Sequence, residues 1–329
     1  MDSKQLASIA PARFDFSEYS FGMPQRSGNL TAVPLFGPQR TGNFTSPLSG
    51  LKLNRVNGYG NLELHNPSAE GIAIVPLHMG YIQDGAQNHA LCRSAFIAAG
   101  QKLMFEDACC VQAAQGGYLE EREQWFFILP LQLRSKALEL RGQKSYSKLW
   151  DEITKLNSSF DLEKRGHLEQ IISRKRAWLT QYQTRFELLP QQIGALFLLN
   201  DRLVGMEIAP NAAYFAELWM PLVCFCYGVA AMPSENQAKD LDKSFRPFAA
   251  NSLLALREKL HQSRLQLQEK VSTSLAKTPK QSFKVKEEER FLDLTLKTFT
   301  GDRFAGQFVV QKQQLVYLSL FAKPQYLVV

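Results

Sequence analysis

Hydrophobic and polar positions alternate along the first part of the chain and recur at helical spacing along much of the second. From Asn29, short apolar runs follow one another at spacings of about ten residues, separated by Gly, Pro and Asn: NLTAVPLF, LKLNRV, NLELHN, GIAIVPLHMGYI, HALCRSAFIA, QKLMFEDACCVQ and QWFFILPL. This cadence, with no helical period between runs, predicts an antiparallel sandwich or barrel over 29–140. Asn57-Gly58, Asn66-Pro67, Asp84-Gly85 and Gly100 supply the reversals through positive φ or the fixed φ of proline.

Near Leu140 the period lengthens from two to about 3.6. Tyr146, Leu149, Trp150, Ile153 and Leu156 fall on one face, and a second amphipathic helix runs from Arg165 to Leu188, with Leu168, Ile171, Ile172, Leu179, Tyr182 and Phe186 inward. IGALFLLN and RLVGMEIA then form a hairpin about Asn200-Asp201, and Pro210 opens a helix that is apolar almost all round. A further helix is expected from Lys239 to Glu269, a charged mobile link near 270–289, and a closing hairpin about Gln311 to Gln314. The fold class is therefore α+β: an N-terminal antiparallel β-sandwich or barrel, followed by helices packed on a second mixed β-sheet. Residues 1–28 read as an irregular arm whose Phe14, Phe16, Tyr19 and Phe21 pack either on the same domain or, as an interaction element, on a partner chain, and 141–329 packs with 29–140 as one unit.

A chain of 329 residues, 45% hydrophobic, can bury a core without disulfides or metals, and whole-chain disorder is excluded. The net charge of +7 favours anionic partners, but the excess is modest for this length, so nucleic acid is not favoured. Five cysteines, an odd number, and a start without an apolar run predict a reduced cytoplasmic location. The apolar stretch Leu218–Met232 falls short of the roughly 20 residues that span a bilayer and is interrupted by Pro221 and Gly228; it reads as a buried helix, with no membrane partner.

No metal site or cofactor is predicted. Cys109 and Cys110 point to opposite faces of a strand, and Cys224 and Cys226 lie about 200° apart on a helix, so neither pair can clasp zinc. Nucleophile elbows, phosphate-binding glycine loops and paired-histidine helices are absent. Cys92 or Cys110 beside His78 or His89 would make a thiolate pair, but cysteines in apolar strands favour a core role. The turn Gln83 to His89 concentrates amides, a carboxylate and an imidazole. Such groups can face a ligand, and Asp and Asn also simply form turns; both readings stand.

At this turn the sequence resembles the ARPP domain family, associated with ADP-ribosylglycohydrolases and with rhodanese and phosphatase superfamily proteins. Asp84-Gly85-Ala86-Gln87-Asn88-His89, Gly100 and Val111-Gln112 follow the family's order of polar turn, Gly turn and strand exit. Trp150-Asp151-Glu152, the Gly-Ala strand at Gly194-Ala195, the Gly-x-Glu strand at Gly205-Met206-Glu207 and the Phe215…Leu218-Trp219 helix continue the likeness, as does the closing hairpin. Three positions depart from the family pattern: His89 stands for Arg, Gln112 for Glu, and the Arg-Trp exit gives way to Gln115-Gly116-Gly117-Tyr118. The resemblance implies a bacterial cytoplasmic protein linked to ADP-ribose or nucleotide metabolism or to conflict systems.

The leading expectation is a non-enzymatic ligand-binding or regulatory protein. Asp84, Gln87, Asn88, His89 and Gln112 would contact a nucleotide-like anion, and Gly116 and Gly117 would allow close approach. No residue is assigned a catalytic role with it. The alternative is an enzyme acting on an ADP-ribose-like or phosphorylated substrate, with His89 as acid/base, Asp84 or Glu106 orienting it and Glu207 more remote. A third reading is an assembly scaffold, and a protein partner or homo-oligomer is expected.

Overall fold

The structure, a computed structural model, describes residues 3–40, 43–56, 59–82, 88–113, 125–238 and 249–327. The arm is more ordered than its composition suggested. It holds α1 (Ser3–Ile9) and two short strands, β1 (Ser20–Phe21) and β2 (Gln25–Ser27), that pair with β3 (Leu30–Phe36). Leu6 and Ile9 are buried, and the Phe14 ring meets Phe308 edge-on at 5.3 Å. The arm thus packs on its own chain.

The next nine strands are β4 (Lys52–Val56), β5 (Leu62–His65), β6 (Ile72–Ile74), β7 (Met79–Ile82), β8 (His89–Ala90), β9 (Phe96–Ala98), β10 (Lys102–Phe105), β11 (Cys109–Cys110) and β12 (Trp125–Ile128). They divide among three small antiparallel sheets, ordered β10-β5-β4, β11-β8-β7-β12 and β6-β9. β3 does not join them. It pairs with β13 (Gly194–Leu199), which continues through β14 (Arg202–Ile208), β18 (Gln314–Ala322), β17 (Phe304–Gln311), β16 (Leu294–Thr300) and β15 (Lys284–Phe291). The expected α+β class and β-rich N-terminal region are both present. The second sheet, expected to be mixed, is antiparallel in all its strand pairings among the described residues.

Both anticipated hairpins rest on type I′ geometry: Asn200 and Asp201 have φ 48° and 61°, and Lys312 and Gln313 have 47° and 68°. Turns of this hand match the strand twist, which fixes the register on either side. The charged stretch after α9 (Leu253–Ala276) is not a mobile link. It forms β15, a sheet edge whose exposed Lys and Glu discourage further pairing.

Helices differ more from expectation. Arg165–Leu188 is cut into α4 (Glu169–Arg174), α5 (Arg176–Leu179) and α6 (Gln181–Arg185), although Leu168, Ile171, Leu179 and Tyr182 are buried as predicted. At the last break the Thr180 hydroxyl donates to the Arg176 carbonyl at 2.9 Å, the back-bonding that competes with helix continuation. α3 begins at Trp150 (Trp150–Ser158), which leaves Tyr146 outside it and 38% exposed rather than on its inner face. The helix expected from Lys239 starts at α9, where Ser252 caps it; residues 239–248 lie outside the described part. α2 (Leu131–Glu139) follows Pro130 where a strand was expected to end.

The apolar helix is central. α7 (Ala212–Met220), a π-helical turn (Pro221–Cys226) and α8 (Tyr227–Ala238) run on continuously, and Tyr227 stacks on Phe197 of β13 with centroids 3.8 Å apart. Ala212–Pro233 is long and apolar enough to cross a membrane, but 83% of its most apolar window is buried inside the protein.

Candidate functional site

Asn88, His89 and Gln112 come together in the small sheet β11-β8-β7-β12. His89 pairs with Tyr81 of β7 on one side and Cys110 of β11 on the other. Gln112 Oε1 accepts the Asn88 N–H at 3.2 Å, and the Asn88 carbonyl accepts the Val111 N–H at 2.9 Å. All three residues are 1% exposed. A polar group buried this deeply must be satisfied internally, and the imidazole is: His89 Nε2 accepts the Gly60 N–H at 3.1 Å. His89 is therefore the neutral Nδ1–H tautomer, with its Nε2 lone pair in use.

What this network holds in place lies at the surface. Gly60, at φ +80°, carries the chain between His89 and Tyr146; a Cβ there would stand 3.0 Å from Tyr146 Cβ. The Cys110 N–H donates to the Tyr146 carbonyl at 2.9 Å, and the Trp150 indole N–H donates to the Cys110 carbonyl at 3.0 Å. Gly166 leaves room for Trp150, and β11 continues into pairing with His167 through Gln112. The outcome is an aromatic pair, Tyr59 and Tyr146, with centroids 4.9 Å apart and tilted by 31°, backed edge-on by Trp150 at 5.6 Å. Tyr59 is 48% exposed.

Of the other residues singled out from sequence, Asp84, Gln87, Gly116 and Gly117 lie outside the described residues, as do the Asn57-Gly58 and Asp84-Gly85 turns. Glu106 is exposed and pairs with Lys144 at 2.6 Å. The five cysteines are buried free thiols; burial pushes Cys109 and Cys110 up, so neither is a thiolate nucleophile at neutral pH. Among the described residues no group of three metal-ligating side chains converges.

A second polar cluster lies sealed in the core, built around an arginine that no sequence motif marks. Arg134 of α2 is 1% exposed. Its guanidinium donates to Glu207 Oε1 on β14 at 2.6 Å, to Ser319 Oγ on β18 at 2.5 Å and, through Nε, to His78 Nδ1 at 3.2 Å. Cys226 Sγ lies 3.6 Å away, and the cation sits 4.6 Å above the Phe321 ring. Burial works against the Arg134 charge, but the Glu207 carboxylate more than offsets it, so the cation is held above its ordinary range. Burial, reinforced by that cation, drives His78 well below its ordinary value, and Cys226 is pushed up to about 12 by burial. His78 is therefore the neutral Nε2–H tautomer. It also sits at φ +65°, a strained conformation for an imidazole residue.

This cluster accounts physically for two residues of the Gly-x-Glu strand. Tyr227 donates its hydroxyl to Glu207 at 2.8 Å, and a Cβ at Gly205 would come within 2.0 Å of that hydroxyl. The glycine makes room for the donor and the glutamate accepts from it. One signal could have found Arg134: it falls at i+3 between Leu131 and Leu138, an arginine on an apolar stripe.

No curated protein and no solved structure matches the chain. A family profile matches residues 18–321, and the chain belongs to ARPP-1, the ARG and Rhodanese-Phosphatase-superfamily-associated Protein domain.

Proposed function

We propose that this protein is a non-enzymatic ligand-binding or regulatory protein of the bacterial cytoplasm that recognises a nucleotide-like anion of the ADP-ribose class. The observation that carries the reading is the use of His89: its Nε2 lone pair is committed to the Gly60 amide, which places Tyr59 beside Tyr146 at the surface. A tilted aromatic pair of this kind is suited to stack a base, worth about 1–3 kcal/mol. Asn88, His89 and Gln112 act here as positioning residues behind the platform. Gln87, Gly116 and Gly117 lie close to them in sequence, and their amide N–H groups are the donors proposed for phosphate. The family's description, which couples it to ARG and to rhodanese-phosphatase proteins, is compatible with a nucleotide-related ligand.

The catalytic alternative is weaker on the same ground. An acid/base His89 needs a free nitrogen, Glu106 is taken up by Lys144, and Glu207 is neutralised by Arg134 inside the core. The test is differential scanning fluorimetry with ADP-ribose, together with chromatography of the nucleotide after incubation. The expected result is a rise in melting temperature, equivalent to about 2.7 kcal/mol at a hundredfold excess over Kd, with ADP-ribose recovered intact. Tyr59→Ala combined with Tyr146→Ala should abolish the rise. Turnover of the nucleotide, or an undiminished rise in the double variant, would overturn the reading.

A further inference from the structure

α9 is half embedded and half bare. At about 100° per residue, Leu253, Leu256, Leu260, Leu267 and Val271 fall within about 60° of arc, so they form one stripe. At its C-terminal end the stripe is used by the protein itself: Val271 and Leu275 are buried and Leu267 packs against the core. At its N-terminal end the same stripe is covered only in part, with Leu253 86% and Leu260 39% exposed and Leu256 half-buried, while the exposed Leu254 and Leu265 lie off it. The bare half is a defined helix, because Ser252 accepts the Ala255 N–H at 3.1 Å as its cap. A leucine stripe continuing beyond its own core is a surface shaped for another helix.

Charge decides which kind of helix. Arg257 and Arg264 border the stripe on one side, Lys259 and Lys270 on the other, while Glu258 and Glu269 point to the opposite face. Beside Arg264 a groove of about 1030 Å³ separates α9 from β2 and α6, and Arg26, Arg185 and Lys270 also line it. Asp201 is the carboxylate at its edge, already shared between Arg26 and Lys270. Arg257 and Arg264 make no ion pair among the described residues. The bare half is therefore apolar along its middle, cationic along the Arg257–Arg264 border, and carries Lys259 on the other.

We infer that the first half of α9 docks an amphipathic helix of another protein whose apolar stripe is bordered by Asp and Glu. A second copy of this chain fits less well: in a parallel or an antiparallel pair, basic borders would meet basic borders, which is destabilising. A lipid surface fits less well because α9 carries no Phe, Tyr or Trp to seat at a headgroup layer. Single-stranded nucleic acid would find only His261 on α9 to stack on.

The test uses the full-length protein and a synthetic 21-residue helical peptide with Leu at heptad positions a and d and Glu at e and g, about three heptads long. A control peptide carries Lys at e and g. Fluorescence anisotropy should show the Glu peptide binding at least about tenfold more tightly than the Lys peptide, a difference of about 1.4 kcal/mol. Arg257→Glu with Arg264→Glu should reverse that preference, and Leu253→Ser with Leu260→Ser should abolish binding of both. These side chains are exposed, so an unchanged melting temperature is expected of every variant and is measured alongside. Equal affinity for the two peptides, binding unaffected by the leucine variants, or no binding would overturn the proposal. So would self-association in sedimentation that the leucine variants remove, or co-sedimentation with phosphatidylglycerol vesicles that exceeds peptide binding.

Discussion

His78 and His89 are eleven residues apart in sequence, both buried, and both neutral acceptors, yet they serve opposite ends of the protein's chemistry. His78 accepts through Nδ1 from a guanidinium that is itself locked to Glu207 and Ser319. Its surroundings are charged and closed to solvent. His89 accepts through Nε2 from a single backbone amide, and the chain it holds emerges at once as an exposed aromatic pair. The first cluster fastens α2 to β14, to β18 and to the residue that leads into β7. The second sets the position of a surface. Ionisable groups in a core are thus not by themselves a sign of a reactive site; what matters is whether the network ends in the interior or at solvent.

The largest effect should come from opening the closed cluster. Arg134→Met leaves Glu207 buried without its cation, and removing one partner of a buried pair costs about 3–5 kcal/mol. Urea unfolding should register that loss. Arg134→Met combined with Glu207→Leu should recover much of it, because the uncompensated charge goes too. A loss in the single variant below about 1 kcal/mol would mean that water reaches Glu207.

Next in size is Gly205→Ala, whose methyl would meet the Tyr227 hydroxyl at 2.0 Å. Overpacking of this kind costs about 1–3 kcal/mol. The same exchange at Gly100, where a Cβ would have open space, should cost less, through the strain of φ +71° alone.

Smaller still is the acid response of His78. Its folded pKa lies below the unfolded value of about 6.5, so between the two the unfolded chain binds the extra proton and stability rises with pH. The contribution is intact above pH 6.5 and is lost as pH falls, by about 1.4 kcal/mol per unit. Chemical denaturation at pH 7.5 and 5.5 should show it. His78→Asn, which suits φ +65° better than most residues, should flatten that limb. An unchanged acid limb would show that His78 is not the group responsible.

Local features of this fold were readable in the sequence, as was the joining of the 195–208 hairpin and the closing hairpin in one sheet, whereas the pairing of β3 was not. Asn200-Asp201 and the Gln311–Gln314 turn announced their hairpins, because a type I′ turn needs particular residues at two adjacent positions. The helix through Leu218–Met232 was equally plain, since nearly every side chain in it must be buried. That β3 should sit against β13, more than 150 residues later, left no local trace. The first part of β15 reads as a link in the sequence because an exposed sheet edge and a solvated linker use the same charged residues. At the candidate site, the proximity of Gln112 to Asn88 followed from strand pairing, whereas Tyr59 and Tyr146 did not stand out. Tyr146 fitted a helical face so well in sequence that its place one turn before the helix was hidden.

The two imidazoles offer the most direct test of the account. Long-range ¹H–¹⁵N spectra of the histidine rings at pH 7 report which nitrogen carries the proton. His89 is expected as the Nδ1–H tautomer with Nε2 unprotonated, and His78 as the Nε2–H tautomer with Nδ1 unprotonated. His89→Gln and His78→Asn assign the two sets of signals. An Nε2-protonated or doubly protonated His89 would contradict the account, because the Gly60 amide could not then be its donor and the positioning of Tyr59 would need another cause.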